Sequence, residues 1–178
     1  MSNPNESVVV LSRALDQAGD VLAEIHEDQF SMPTPCAEWN VGRLVAHVVN
    51  DPRVILAMAH GEDVDWSAQP EAVTTGFAAE FRSAADDLIH YWHEQGDSAA
   101  PGAADWQTAE FAVHAWDLVR AIGSDRELDP DVAERGLALM SGALTPDNRG
   151  DAFAPEVSAP EEAPIYERLA AYAGRDLR

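Results

Sequence analysis

The chain has 178 residues, enough for one well-buried core and short for two, so a single domain spanning residues 1–178 is expected. Its 11 basic and 32 acidic residues give a formal net charge of −21, which repels phosphate backbones and anionic lipid surfaces; nucleic acid and membrane are therefore not expected as partners. The acids are spread along the chain and read as a solvated surface, and 46% hydrophobic with 24% charged residues is ordinary for a globular protein.

No basic residue precedes the short apolar run Val8-Val9-Val10-Leu11, so no signal peptide is read at the amino terminus. No apolar stretch is long enough to span a bilayer. The lone Cys36 cannot form an internal disulfide, which fits a reducing compartment, and a cytoplasmic location is expected.

Apolar residues recur at three- and four-residue spacing in Leu11, Leu15, Ala18, Leu22 and Ile25, which predicts a first helix from about Glu6 to Glu27. Pro33 and Pro35 then deny helix, Asn40 offers an N-cap, and Trp39 with Leu44 suits a hydrophobic staple, so a second helix starts near Val41. Its inward stripe reads Leu44, His47, Val48, Asp51, Val54, Ile55, Met58, an apolar face interrupted by two polar groups. Pro52 should kink this helix unless it restarts there, and Gly61 ends it.

A third helix is expected from Thr75 to Gln95, with Phe77, Phe81, Ala84, Leu88 and Tyr91 or Trp92 inward and Gly96 as its stop. The loop from Asp97 to Gly102 leads to Asp105, read as the N-cap of a fourth helix from Trp106 to Ile122, with Gly123 after it. Asp129-Pro130 signals a fifth helix reaching past Leu137 and Met140. Residues Thr145 to Pro160 hold three prolines and little periodicity and are expected to form an extended arm, followed by a short helix from Ala163 to Ala173. With no convincing strand alternation, the fold class expected is all-α, a four-helix bundle with short additional carboxy-terminal helices.

Glu110 and His114 are the chemical signal. On a helix, i and i+4 lie about 40° apart on one face, so both can converge on one point. A histidine from a facing helix, His47, completes a His2Glu set that satisfies a divalent metal such as zinc and leaves one position open. Burying a carboxylate and two imidazoles costs several kcal/mol unless something pairs with them, and a cation would. Asp51, one turn beyond His47, and Asp117, three residues beyond His114, are candidates to orient the ring nitrogens, Asp51 also as a spare ligand. The alternative for Asp117 is a salt bridge to Arg120.

The other histidines are weaker candidates. His26 and His60 sit near helix C-termini, where the dipole favours an imidazolium, and His90 with His93 lacks a carboxylate as well placed as Glu110. Cys36 reads as a small packed side chain. Trp39, Trp92, Trp106 and Trp116 read as core or staple residues, and Trp66 as a loop residue suited to lining a pocket. There is no Gly-x-Ser-x-Gly elbow, phosphate loop or dinucleotide fingerprint.

The run from Thr34 through Pro35, Cys36, Glu38, Trp39 and Asn40 to His47, and the run from Glu110 through His114, Trp116, Asp117 and Arg120 to Gly123, resemble the DinB-like metal-binding proteins related to mycothiol-dependent maleylpyruvate isomerase. Phe153-Ala154-Pro155, Ala163-Pro164, Arg168-Leu169 and Gly174-Arg175-Asp176 are similar to a subgroup without the extra carboxy-terminal domain of the longer enzymes. The resemblance implies a DinB-like four-helix bundle with a divalent metal, usually zinc, on His47, Glu110 and His114. It also implies mycothiol as a thiol cosubstrate.

The function expected is activation of a low-molecular-weight thiol or water for S-transfer, isomerisation or hydrolysis of a small electrophilic substrate. The alternative from a different class is a non-catalytic bundle that holds a metal or a small molecule without turnover. A homodimer is compatible with either.

Overall fold

The structure is a computed structural model and describes residues 4–37, 39–65, 68–96, 102–149 and 153–178. Trp66, Glu38, the first three residues and the loop read at 97–101 lie outside the described residues. The helices run α1 (Pro4–Ala23), α2 (Val41–Ala59), α3 (Phe77–Gln95), α4 (Ala103–Ile122), α5 (Pro130–Ala143) and α6 (Ile165–Tyr172), with a 3-10 turn at Glu27–Gln29. No strand forms among the described residues, and the architecture is a DinB-like helical bundle. None of the described helices is long and apolar enough to cross a membrane.

The first four helices form the bundle. α1 packs between α3 and α4, α2 packs along α3, and α5 covers the outer side of α4 with α6 behind it. α4 is the central element and is buried almost all round, with Phe111, Ala112 and Leu118 sealed from solvent. That position explains its buried polar residues, each of which is partnered. Gln107 accepts the Trp92 indole N–H at 2.9 Å, and Asp105 takes the Arg135 guanidinium at 2.7 Å. α2 lies close to α3 and makes much sparser contact with α4, and the space so left is where the polar face of α2 meets Glu110 and His114.

Most of the periodic reading holds. Leu11, Leu15, Ala18, Leu22 and Ile25 are all buried, as are Phe77, Phe81, Ala84, Leu88 and Trp92. Asn40 caps α2 by accepting from the Arg43 amide at 2.9 Å, a bond that contributes about 1 kcal/mol. Asp129 caps α5 by accepting from the Asp131 amide. α2 continues as one helix through Pro52.

Some boundaries and faces differ. α1 stops at Ala23, and the chain turns through the 3-10 segment before Phe30, so Glu27 belongs to the turn. α3 begins at Phe77, because Gly76 at φ 67° is left-handed and outside the helix. Asp105 is not the cap of α4: Gly102 at φ 79° precedes the helix, and Asp105 sits inside its first turn, drawn inward by Arg135. Trp106, next to it, faces outward at 39% exposure, and Met58 at the end of the α2 stripe is 47% exposed. Trp106 takes the outward position of a turn whose neighbours Asp105 and Gln107 are buried, and Met58 lies in the last turn of α2.

The carboxy-terminal segment folds back on itself. Arg149 donates to the carbonyls of Ala154 and Tyr172 and lies over the Tyr172 ring, while the Val157 amide donates to the Ala171 carbonyl at 2.9 Å. These bonds hold the arm that includes Phe153, Ala154 and Pro155 against α6, at the rim of the gap between α2 and α4.

Candidate metal centre

Three segments position the site. α2 supplies His47 and Asp51, α4 supplies Glu110, His114 and Asp117, and the loop between the 3-10 turn and α2 supplies Cys36 and Trp39. That loop is pinned by short bonds. Thr34 Oγ1 donates to the Trp39 carbonyl at 2.8 Å and accepts from the Cys36 amide at 3.2 Å, and the Val41 amide donates to the Met32 carbonyl at 2.9 Å. Trp39 is thereby turned onto the site, its ring 4.8 Å from that of His47 and stacked 6.2 Å from that of His114. Arg43 lies over the Trp39 ring at 4.9 Å.

The nitrogen Nε2 of His47 and the nitrogen Nε2 of His114 both lie 3.0 Å from the same oxygen, Glu110 Oε1. One donor atom from each of the three residues lies within 4.8 Å of the other two. Donors at about 2.0–2.1 Å from one zinc ion in tetrahedral array stand about 3.3 Å apart, so these separations suit a shared cation. His114 Nδ1 is turned away from the cluster to Asp117 Oδ2 at 3.1 Å, which leaves Nε2 as the ligating nitrogen. The residues present therefore fit a divalent metal.

Of the two roles expected of Asp51, its position agrees with the spare ligand and not with orienting the ring. Its Oδ2 lies 3.2 Å from His47 Nε2, the nitrogen that also faces Glu110, so Asp51 sits on the ligand side of the ring and does not brace it from behind. Asp117 bonds Arg175 and not Arg120: Arg175 Nη2 donates to Asp117 Oδ2 at 3.0 Å, while Arg120 stacks on Trp116 and donates to the Leu177 carbonyl.

Electrostatics follow from burial against pairing. Burial opposes charge on His114, but the charge of Glu110 and the hydrogen bonds to Asp117 and Glu110 outweigh it and push the imidazole up to about 10. Burial would raise Glu110, yet the charge of His114 and hydrogen bonds from both rings hold it well below its usual value. Asp51 is pushed up to about 7, chiefly by burial.

A second convergent set, Cys36, His114 and Asp117, shares the outer side of His114. It is the poorer cation site. Asp117 is already taken by a guanidinium, and burial pushes the Cys36 thiol up despite Arg175 and His114 nearby. His90 pairs with Glu94 on the surface, His60 packs on Tyr91, and among the described residues neither joins a ligand group.

The cluster opens on a cavity of about 580 Å³ walled by Cys36, Trp39, Val113, Phe153, Pro155 and Arg175 among others. Three of these were not legible as site residues. Cys36 and Trp39 read as packing residues, and Arg175 carried no local signal because it meets Asp117 across 58 residues of chain. It entered the sequence reading only within the Gly174-Arg175-Asp176 run of the family resemblance, which gave it no role.

Residues 11–119 match the family model of the mycothiol maleylpyruvate isomerase N-terminal domain. The chain is 33% identical over 183 aligned residues to the uncharacterized proteins MT0763 and Rv0738 of two Mycobacterium tuberculosis strains, CDC 1551 / Oshkosh and ATCC 25618 / H37Rv. Each alignment covers 93% of this chain and 96% of the relative. No solved structure matches. His47, Glu110 and His114 all fall inside the matched span, on a helical bundle of the expected kind, and the chain belongs to the family of the mycothiol maleylpyruvate isomerase N-terminal domain.

Proposed function

We propose that the chain is a divalent-metal enzyme of the mycothiol-dependent type, with zinc held by His47, Glu110 and His114. The substrates in this reading are a low-molecular-weight thiol and a small electrophile, joined by S-transfer or isomerised through a thiol adduct. The observation that carries it is the meeting of Nε2 of His47 and Nε2 of His114 at one oxygen of Glu110, at the floor of a cavity. When bound, the metal supplies a positive centre that lowers the pKa of a thiol or water in the open position.

The chain's own residues supply the rest. Glu110 contributes the single negative charge among the three ligands, so the centre keeps a net positive charge that favours a thiolate. Asp117 holds His114 with Nε2 facing inward. Trp39, Phe153 and Pro155 give the cavity an apolar wall that limits water, which strengthens every charge interaction at its floor. The wall comes partly from the carboxy-terminal segment, so the bundle and that segment act as one domain.

Incubation of zinc-loaded protein with mycothiol and a panel of electrophiles tests the activity. Product formation that requires both thiol and metal supports it. Saturable thiol binding with no product from any electrophile would replace it with a binding protein on the same site.

A further inference from the structure

Asp117 lies behind His114 and is sealed from solvent, with His114 and Arg175 at 8% and 7% side-chain exposure beside it. Its Oδ2 accepts from His114 Nδ1 at 3.1 Å and from Arg175 Nη2 at 3.0 Å. Arg175 Nε reaches both carboxylate oxygens, at 3.2 and 3.3 Å, and Nη1 is tied to the Ala173 carbonyl at 3.1 Å. A planar guanidinium gripping a carboxylate at two points fixes the plane of that carboxylate as well as its place.

We propose that Arg175 is a positioning residue of the candidate metal centre: by clamping Asp117 it sets the direction in which His114 presents Nε2 to the ligand cluster. This rests on the metal reading above. A carboxylate only accepts, so the oxygen behind His114 selects the ring orientation with N–H at Nδ1 and leaves Nε2 for the cluster. Without the fork, Asp117 keeps one partner and its acceptor direction is no longer fixed.

The pairing is specific. Arg120, three residues from Asp117 on the same helix, is the neighbour that helical spacing offers, and it is engaged elsewhere. Arg175 is brought in instead by the turn that closes α6, where the Gly174 amide donates to Ala171 and the Arg175 amide to Ala170. Arg175 also lies beyond the family match, which ends at residue 119. A segment outside the matched domain thus braces a ligand within it.

The test uses the full chain labelled with 15N-histidine and its Arg175→Gln and Arg175→Lys variants, with Arg178→Gln as a control in the same segment, since Arg178 is exposed and, among the described residues, pairs only with Asp176. Two quantities are read: solvent exchange of the His114 Nδ1 proton in metal-free protein, and zinc affinity by chelator competition. Arg175→Gln is expected to speed the exchange about tenfold or more. It should also weaken zinc binding by about 10–100-fold, with Arg175→Lys between it and wild type. Exchange and affinity within about twofold of wild type in Arg175→Gln, or equal losses in Arg178→Gln, would overturn the proposal. If wild type itself binds no zinc, the metal reading fails on its own, and the exchange rates still decide whether Arg175 positions His114.

Discussion

His47 and His114 come from different helices, yet their rings stand 5.0 Å apart, nearly perpendicular at 82°, with both Nε2 atoms directed at one oxygen of Glu110. Two imidazole edges meeting a single carboxylate oxygen crowd three ligand-type atoms at one point, where desolvation must be offset by pairing. In the proposed reading a shared cation would offset that cost, and Asp117 behind His114 would set the ring's orientation.

Asp117→Asn keeps the volume of the side chain and alters its charge and acceptor capacity. The amide leaves Arg175 without its buried counter-charge, and one of its two terminal atoms now donates. Zinc affinity is expected to fall by about 10–100-fold, and stability by about 3–5 kcal/mol because a buried pair is broken. Chelator competition and denaturant unfolding check the two effects, and an unchanged zinc affinity would detach Asp117 from the site.

The metal-free chain should lose stability from His114 as pH rises. An unfolded histidine releases its proton near pH 6.5, whereas His114 in the fold is pushed up to about 10. Between those values the native state holds the extra proton, so the contribution is complete below pH 6.5 and lost on approach to pH 10. Asp51 acts in the same direction over a lower window: its carboxyl, pushed up to about 7, stays protonated in the fold where the unfolded one is charged. Thermal melts with chelator present, compared with His114→Gln, should show the gap between the two proteins narrowing from pH 6.5 towards pH 10. A widening gap would contradict this.

Gly174 has φ +81°, and a Cβ there would stand 2.5 Å from the Ala154 carbonyl oxygen. Gly174→Ala forces a left-handed alanine against backbone that cannot yield cheaply. A loss of about 1–3 kcal/mol is expected, which lowers the melting temperature by about 2–4 °C per kcal/mol in a chain of this size. Because the same turn carries Arg175, zinc affinity should fall with it; a variant as stable as wild type would show that the arm moves aside freely.

The sequence made the helices legible because burial follows a 3.6-residue period in α1 and α3, while α4 was marked by its length and its closing glycine. It also made the three candidate ligands legible, since Glu110 and His114 share one helical face and His47 interrupts an apolar stripe. Contacts between remote segments were hidden. Arg175 finds Asp117 only once α6 has packed behind α5, and Trp39 looks like a staple until the Thr34 bonds turn its ring onto His47. Asp105 misled as a cap because its carboxylate is claimed by Arg135, a partner 30 residues away.

The claim at the centre is that one ion is shared by residues of α2 and α4. Elemental analysis of the purified full chain, after zinc loading and removal of loosely bound metal, tests it most directly against His114→Ala and His47→Ala. One zinc per chain is expected in wild type and a near-complete loss in both folded variants. Equal metal content in all three proteins would contradict the account.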